Sequence, residues 1–232
     1  MSRTTRRSAS SKLVSELNPH GAAAEAYRLL RANLRFASVD NALRSLAVTS
    51  ALENEGKTLT AANLAISSAQ AGVRTLLVDA DLRKPAVHKI FMAPSHMGLT
   101  SVLAGLQKMD DAIQTTPVDN LWLLTSGDKP PNPTELLQSE SMRRLHHRLT
   151  ADFEFVIYDC PPALPAVEAV DLGAMADGTV VVVRSEVTPK DAVRQVFAQL
   201  QHGHVQTLGA ILNGVHPDRG YGYSYYSYSY GG

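Results

Sequence analysis

Ten residues, Thr49-Ser-Ala-Leu-Glu-Asn-Glu-Gly-Lys-Thr58, end in the Gly-Lys-Thr triplet with which many chains grip phosphate. Gly56 permits a tight turn, and the backbone N–H groups from Glu55 to Leu59 face an anion from a helix N-terminus. Lys57 adds a point charge and the Thr58 hydroxyl can hold Mg²⁺. The usual pattern opens on a glycine where this chain has Ala51, so a plain helix start is the competing interpretation. Three carboxylates weigh against it. Asp79 and Asp81 follow one apolar run as Val-Asp-Ala-Asp-Leu-Arg, and Asp159 ends another as Val-Ile-Tyr-Asp-Cys-Pro-Pro. A carboxylate at the end of a buried strand is costly unless it meets a cation, and Mg²⁺ on a nucleotide beside a phosphate loop supplies one.

The elements that must position these residues alternate along the chain. Apolar runs predict strands at Leu46–Ser50, Thr75–Asp79, Leu121–Leu124, Phe153–Asp159, Val180–Val183 and Leu208–Asn213. Helices are predicted over Ala22–Phe36, Lys57–Gln70, Ser141–Leu149 and Lys190–Gln201, with Pro133 opening another and short ones at Ala86–Phe91, Thr100–Ala104 and Asp110–Gln114. The wholly apolar 180–183 run is expected to be buried on both faces. The fold class is therefore α/β, a mostly parallel sheet with helices on both faces. Ligands in such sheets sit at the carboxyl ends of the strands, which puts Ser50, Asp79, Asp159 and Asn213 on one edge. Residues 1–20 read as a flexible basic leader, 21–216 as one domain, and 217–232 as a disordered tyrosine-rich tail.

Asp79-Ala-Asp-Leu-Arg-Lys-Pro85, Pro130-Pro-Asn-Pro-Thr-Glu-Leu-Leu137, Asp159-Cys-Pro-Pro162 and the tyrosine-rich tail together resemble the bacterial protein-tyrosine kinases of the capsule and exopolysaccharide chain-length system. The resemblance covers about residues 20–232. It implies a P-loop NTPase-like fold that uses ATP and Mg²⁺ to phosphorylate its own tail at Tyr221, Tyr223, Tyr225, Tyr226, Tyr228 and Tyr230, in trans. The Walker A loop would be Ala51–Thr58, with nucleotide contacts from Glu53, Asn54, Glu55, Gly56, Lys57, Thr58 and Leu59, and Asn213 on the adenine side; a simple turn role for Asn213 is the alternative. Thr58, Asp81 and Asp159 would hold Mg²⁺, Lys57, Asp79 and Asp81 would be catalytic, and Asp79 would orient or deprotonate the acceptor; spacing does not separate Asp79 from Asp81 as the base.

By the same resemblance, Glu25, Arg28 and Arg31 would form a subunit contact in a homo-oligomeric ring, with an octamer as the candidate size. An intrahelical Glu25–Arg28 pair is the alternative. The implied partners are a membrane-embedded polysaccharide co-polymerase, which activates the chain and recruits it from the cytoplasm to the inner face of the membrane, and a cognate tyrosine phosphatase. Two departures stand out. Glu53-Asn54 replaces the commoner Pro-Gly: Asn tolerates the left-handed backbone, whereas Glu53 beside a triphosphate is expected to weaken ATP binding. Partition and cell-division ATPases share the deviant loop but carry a second lysine where this chain has Leu52. A MinD/ParA-like ATPase switch without kinase activity, or a weakly active scaffold presenting tyrosines, are the alternative functions.

Composition narrows the field further. Among 232 residues, 22 Lys+Arg balance 22 Asp+Glu, which excludes nucleic-acid binding by bulk charge. Of the aromatic residues, six tyrosines fall between Tyr221 and Tyr230, so the core must be aliphatic. The lone Cys160 excludes an internal disulfide, fits a reducing compartment and reads as a small buried residue. No run is long and apolar enough to span a bilayer, and a cytoplasmic location is expected. His202-Gly-His204 reads as a loop rather than half of a metal site. Each phosphotyrosine would add about −1.5 to −2, so modification would turn an uncharged tail strongly acidic and could favour ring disassembly.

Overall fold

A computed structural model describes Leu13 and residues 21–37 and 42–215; the rest of the leader and the tail tyrosines lie outside the described residues. Helix α1 (Ala22–Ala37) precedes strand β1 (Ser45–Ser50), which runs through the phosphate loop into α2 (Lys57–Ala69) and then β2 (Thr75–Asp79). Three short helices follow, α3 (Val87–Phe91), α4 (Leu99–Leu103) and α5 (Met109–Ala112), then β3 (Gln114–Thr115) and β4 (Leu121–Leu124). The second half comprises α6 (Pro133–Leu137), α7 (Glu140–Asp152), β5 (Phe155–Asp159), α8 (Glu168–Met175), β6 (Gly178–Arg184), α9 (Lys190–His202) and β7 (Thr207–Asn213). Pro133 sits in the first turn of α6, where its missing N–H costs nothing. Ser139 caps α7 by accepting the Met142 N–H at 3.2 Å.

The strands form one sheet in the order β3-β4-β2-β5-β1-β6-β7, parallel except for β3. Alternation along each strand feeds two cores. Leu46, Val48, Leu77, Ile157, Val180 and Val182 face α1 and α2, and Leu13 of the leader is buried in the same layer. Ala47, Leu76, Val78, Val156, Tyr158 and Val181 face α7, α8 and α9 on the other side. The expected α/β sheet with helices on both faces is present. No helix among the described residues is long and apolar enough to cross a membrane.

Three local expectations are corrected. The helix expected to reach Gln114 ends at Ala112, because Gln114 and Thr115 pair antiparallel with Leu123 and Trp122. Helix α8 was not expected from the sequence; its Gly173 lets it approach the sheet so closely that a Cβ there would meet Thr179 Oγ1 and Val205 Cγ1 at 2.9 Å. Val183 is only half-buried, since β6 outruns its cover and β7 beyond it is an edge strand.

One buried polar pair ties α7 to β5: His146 Nδ1 lies 2.9 Å from the Tyr158 hydroxyl. Burial pushes the imidazole below its ordinary range, His147 adds to this and Asp177 opposes it. Burial likewise raises the Tyr158 phenol, so it stays protonated and can donate to a neutral imidazole. A histidine with a depressed folded-state pKa stabilises fully above its unfolded value near 6.5, and that contribution is lost as pH falls through and below it. The melting-temperature advantage of the native chain over His146→Gln should therefore narrow between about pH 7.5 and 5, by the equivalent of about 1 kcal/mol. A gap that stays constant over that range would show that the imidazole does not titrate with unfolding.

Candidate active site

The carboxyl ends of β1, β2 and β5 are adjacent, with Val48 in register with Asp159 and Asp79 opposite Asp159. The phosphate loop leaves β1 at Ser50 and turns into α2 at Gly56, whose φ of +96° is a left-handed conformation that glycine adopts without strain. Asn54, with φ +63°, makes the other left-handed turn, as its residue type predicts. The loop is braced from β6 and β7. Asn213 Nδ2 donates to the Glu55 carbonyl at 2.9 Å and Arg184 Nη1 to the Asn54 carbonyl at 3.0 Å. Buried Glu55 accepts the Leu52 N–H at 3.0 Å and the Thr188 hydroxyl, so its side chain holds the loop's shape.

Lys57 gathers the acidic residues. Its Nζ lies 2.8 Å from Asp81 Oδ2, 3.6 Å from Asp159 Oδ1 and 3.4 Å from Thr58 Oγ1. Burial alone would lower the ammonium's pKa, but Asp159 and Asp81, with Asp79 beyond, more than offset this and hold it above its ordinary value. Burial pushes the Asp159 carboxyl up, while Lys57 and Thr58 pull it down. Asp79 is pushed up to about 8 by burial and by Asp159, against the Val87 N–H and Lys57. One lysine thus faces three buried carboxylates, and both Asp159 oxygens and Asp79 Oδ1 lack a hydrogen-bond partner.

Those unpartnered oxygens bear on Mg²⁺. Among the described residues no cluster of three or more carboxylate, histidine or cysteine side chains could cage a metal by itself. That suits Mg²⁺ in a nucleotide site, which takes one or two carboxylates and completes its shell with water and phosphate. Thr58, Asp81 and Asp159 fit that requirement: a hydroxyl and two carboxylates around one lysine, with excess negative charge.

A cleft of about 1060 Å³ opens beside this cluster. Glu53, Asn54, Gly56, Lys57, Thr58, Leu59, Asp81, Arg83, Lys84, Lys89, Lys129, Pro130, Pro133, Pro161, Pro162, Arg184 and Asn213 are among the residues that line it. Asp79 and Asp159 stand one layer behind the wall. Asp79 Oδ2 accepts the Ala86 and Val87 N–H groups at 3.1 and 3.0 Å and so fixes the start of α3. Both Asp81 oxygens are engaged, Oδ2 by Lys57 and Oδ1 by the Lys84 N–H at 3.0 Å. Glu53, read in the sequence as a liability near triphosphate, is paired with Lys84 at 2.6 Å.

Other residues had been read differently or missed. Arg83 donates through Nε and Nη2 to Glu168 Oε1 at 2.9 and 2.7 Å, and Thr134 Oγ1 bonds the same oxygen at 2.7 Å. This ties the Asp79–Pro85 segment to the Pro130–Leu137 segment through α8; no local signal marked Glu168, because its partners lie far off in sequence. Burial alone would raise the Glu168 carboxyl, but the Thr134 hydroxyl, its own N–H and the Arg83 guanidinium hold it below the usual range. Cys160 is fully buried and burial raises its thiol, in keeping with a packing role. Glu25, Arg28 and Arg31 lie away from the cleft on α1. Arg28 Nε meets Glu25 Oε2 at 2.8 Å within the helix, and Arg31 bonds the Ser67 carbonyl of α2.

The chain is similar to known proteins over nearly its whole length. The family model described as an AAA domain matches residues 24–208. The tyrosine-protein kinase YwqD of Bacillus subtilis is 42% identical over 214 residues, 92% of this chain and 90% of its own length. The kinase domain of Escherichia coli tyrosine kinase ETK superposes with a TM-score of 0.86 at 33% identity, covering 92% of this chain and 84% of that one. The chimerical protein CapA2B2 gives 0.84 at 38% identity, covering 87% and 89%.

Proposed function

Because the chain belongs to the bacterial tyrosine-protein kinases, we propose that it transfers the γ-phosphoryl group of ATP to its own C-terminal tyrosines in trans, and so regulates capsule or exopolysaccharide synthesis or export. It is a protein-tyrosine kinase; its acceptors and its place in polymer production are the proposal. The observation that carries the proposal is the cleft itself. The phosphate loop, Lys57 and Asp81 share its wall with Pro130, Pro133, Pro161, Pro162 and several basic side chains, and that proline-rich, basic wall is the surface we assign to an acceptor phenol. An aromatic ring packs well against proline, and the acceptors are tyrosines in a segment with no charged residue from Gly220 onward.

In the proposed reaction the tyrosine Oη forms a bond to the γ-phosphorus while the bond from that phosphorus to the β–γ bridging oxygen breaks, and ADP leaves. The loop N–H groups and Lys57 cradle the phosphates, and Asn213 borders the nucleoside side through its bond to the Glu55 carbonyl. Thr58, Asp81 and Asp159 would hold Mg²⁺, which would supply charge neutralisation at the phosphates. Asp79, one layer behind the cleft wall, would orient the acceptor or take the phenolic proton by way of a bridging water, since its Oδ1 is the uncommitted oxygen of the Asp79–Asp81 pair and its proton affinity is raised. With a loose transition state most of the acceleration comes from positioning and charge, so the base contributes the smaller part.

The test is to incubate the full chain with Mg-ATP, with and without the cytosolic segment of a membrane-embedded co-polymerase, and map phosphate by mass spectrometry. Phosphate at Tyr221–Tyr230 is expected, most strongly with that segment present. ATP hydrolysis with an unmodified tail under both conditions would favour an ATPase switch. We also propose that the chain forms a ring through Glu25, Arg28 and Arg31, an octamer being the candidate size, and that the co-polymerase holds it at the inner face of the membrane, with a tyrosine phosphatase reversing the reaction. Arg31 already fastens α1 to α2, so Glu25→Ala and Arg28→Ala are the cleaner probes. Either should reduce the mass seen by light scattering to that of smaller species; an unchanged mass rejects the contact.

A further inference from the structure

The cleft wall is rich in basic side chains. Besides Lys57 and Arg184, Arg83, Lys84, Lys89 and Lys129 line it, although the chain as a whole carries no net charge. Lys84 is neutralised by Glu53 and Arg83 by the buried Glu168, which also fixes the guanidinium's direction. Lys89 and Lys129 are exposed, and neither forms an ion pair among the described residues. Two uncompensated ammonium groups at the mouth of an acceptor cleft call for an anion. ATP's phosphates are already met by Lys57 and the loop N–H groups.

No side chain of the acceptor segment is anionic. From Gly220 to Gly232 the residues are only Tyr, Ser and Gly, so a side chain there carries negative charge only once a tyrosine has been phosphorylated. Its spacing also matters. Tyr221, Tyr223 and Tyr225 share one parity, and Tyr226, Tyr228 and Tyr230 the other. In an extended chain, residues two apart point to the same side and lie about 7 Å apart, whereas adjacent residues point to opposite sides.

We propose that Lys89 and Lys129 form a phosphate-reading rim that prefers an acceptor tyrosine whose neighbour two residues away is already phosphotyrosine, so that each run of three tyrosines is phosphorylated by self-priming. This rests on the kinase reading above. The phosphate, carrying about −1.5 to −2, sits between the two ammonium groups while the unmodified phenol enters the catalytic end. No further bond is made or broken beyond the phosphoryl transfer already described.

The test uses the full chain with synthetic peptides spanning 220–232, in which Tyr226 is the one free acceptor, the other tyrosines are Phe, and position 228 or position 225 carries either Phe or phosphotyrosine. Initial rates and fluorescence anisotropy are measured with each. Phosphotyrosine at 228 should lower KM about fivefold in low salt and tighten binding to match, a gain that shrinks near 0.5 M salt. In Lys89→Gln/Lys129→Gln the ratio of primed to unprimed KM should fall towards one. Equal KM for primed and unprimed peptides, a gain that survives the double variant, or an equal gain from phosphotyrosine at 225 would each overturn the proposal. If no peptide is phosphorylated at all, the kinase reading fails. Anisotropy then judges the rim by itself, since binding that ignores the phosphate or the two lysines removes it as well.

Discussion

Lys57→Met should lower tyrosine phosphorylation about 10²–10³-fold, the loss typical of removing one donor aimed at developing charge. The same substitution should also make stability depend more steeply on pH than the native chain's does. Among the described residues Lys57 is the one cation in contact with Asp81 and Asp159. Without it three buried carboxylates repel one another and must take up protons. A carboxylate whose folded pKa is raised stabilises fully below its unfolded value near 4, and that stability is lost as pH rises through the folded pKa. Asp79 already lies up near 8 in the native chain. Lys57→Met should therefore melt lower than the native chain at pH 8, by an amount that shrinks at pH 6. Melting curves at both values check this, and an equal deficit at the two would show that the carboxylates do not respond to the lysine. An unchanged rate of tail phosphorylation would remove Lys57 from the mechanism.

The parts of this site that were legible in the sequence are those whose constraint is local. Gly56-Lys57-Thr58 specifies a turn, a charge and a hydroxyl within three residues, and Asn54 signals its own left-handed backbone. Asp79, Asp81 and Asp159 could be read because each ends an apolar run, and the parallel register of β2 and β5 then places them side by side. Alternation predicted six strands because Leu, Val and Ile runs that face two cores leave few other options. What was not legible depends on distant partners. Glu168 matters through Arg83 and Thr134, 85 and 34 residues away. Helix α8 has little amphipathic contrast and contains a glycine, so no helix was predicted there, although that glycine is what lets it lie against Thr179 and Val205. Strand β3 is two residues long and exists only because Trp122 and Leu123 offer an edge. Glu53 was judged by its neighbours in sequence, whereas its charge is answered by Lys84 across the loop.

Asp159→Asn should separate function from stability in opposite directions. Asp159 is fully buried at the end of β5, its two oxygens have no hydrogen-bond partner, and its ammonium neighbour at 3.6 Å is held more closely by Asp81. A buried anion so placed is a net cost unless a cation arrives. Replacing it with a neutral isostere leaves the Lys57–Asp81 pair intact and removes the excess charge. The Mg²⁺-free protein should become more stable at pH 8 by roughly 1–3 kcal/mol. The native chain should recover the difference on adding Mg-ATP, since a ligand that binds only the folded state stabilises it in proportion to the logarithm of one plus its free concentration divided by its Kd; Asp159→Asn should gain much less. Tail phosphorylation should meanwhile fall by about 10²–10³-fold, because the variant loses one of the three groups proposed to hold Mg²⁺. Paired melting curves with and without Mg-ATP, alongside the initial rate, decide the matter. A variant that is less stable than the native chain without Mg²⁺ would mean that Asp159 serves the fold. A variant that retains both its rate and its Mg-ATP shift would mean that the metal is held elsewhere.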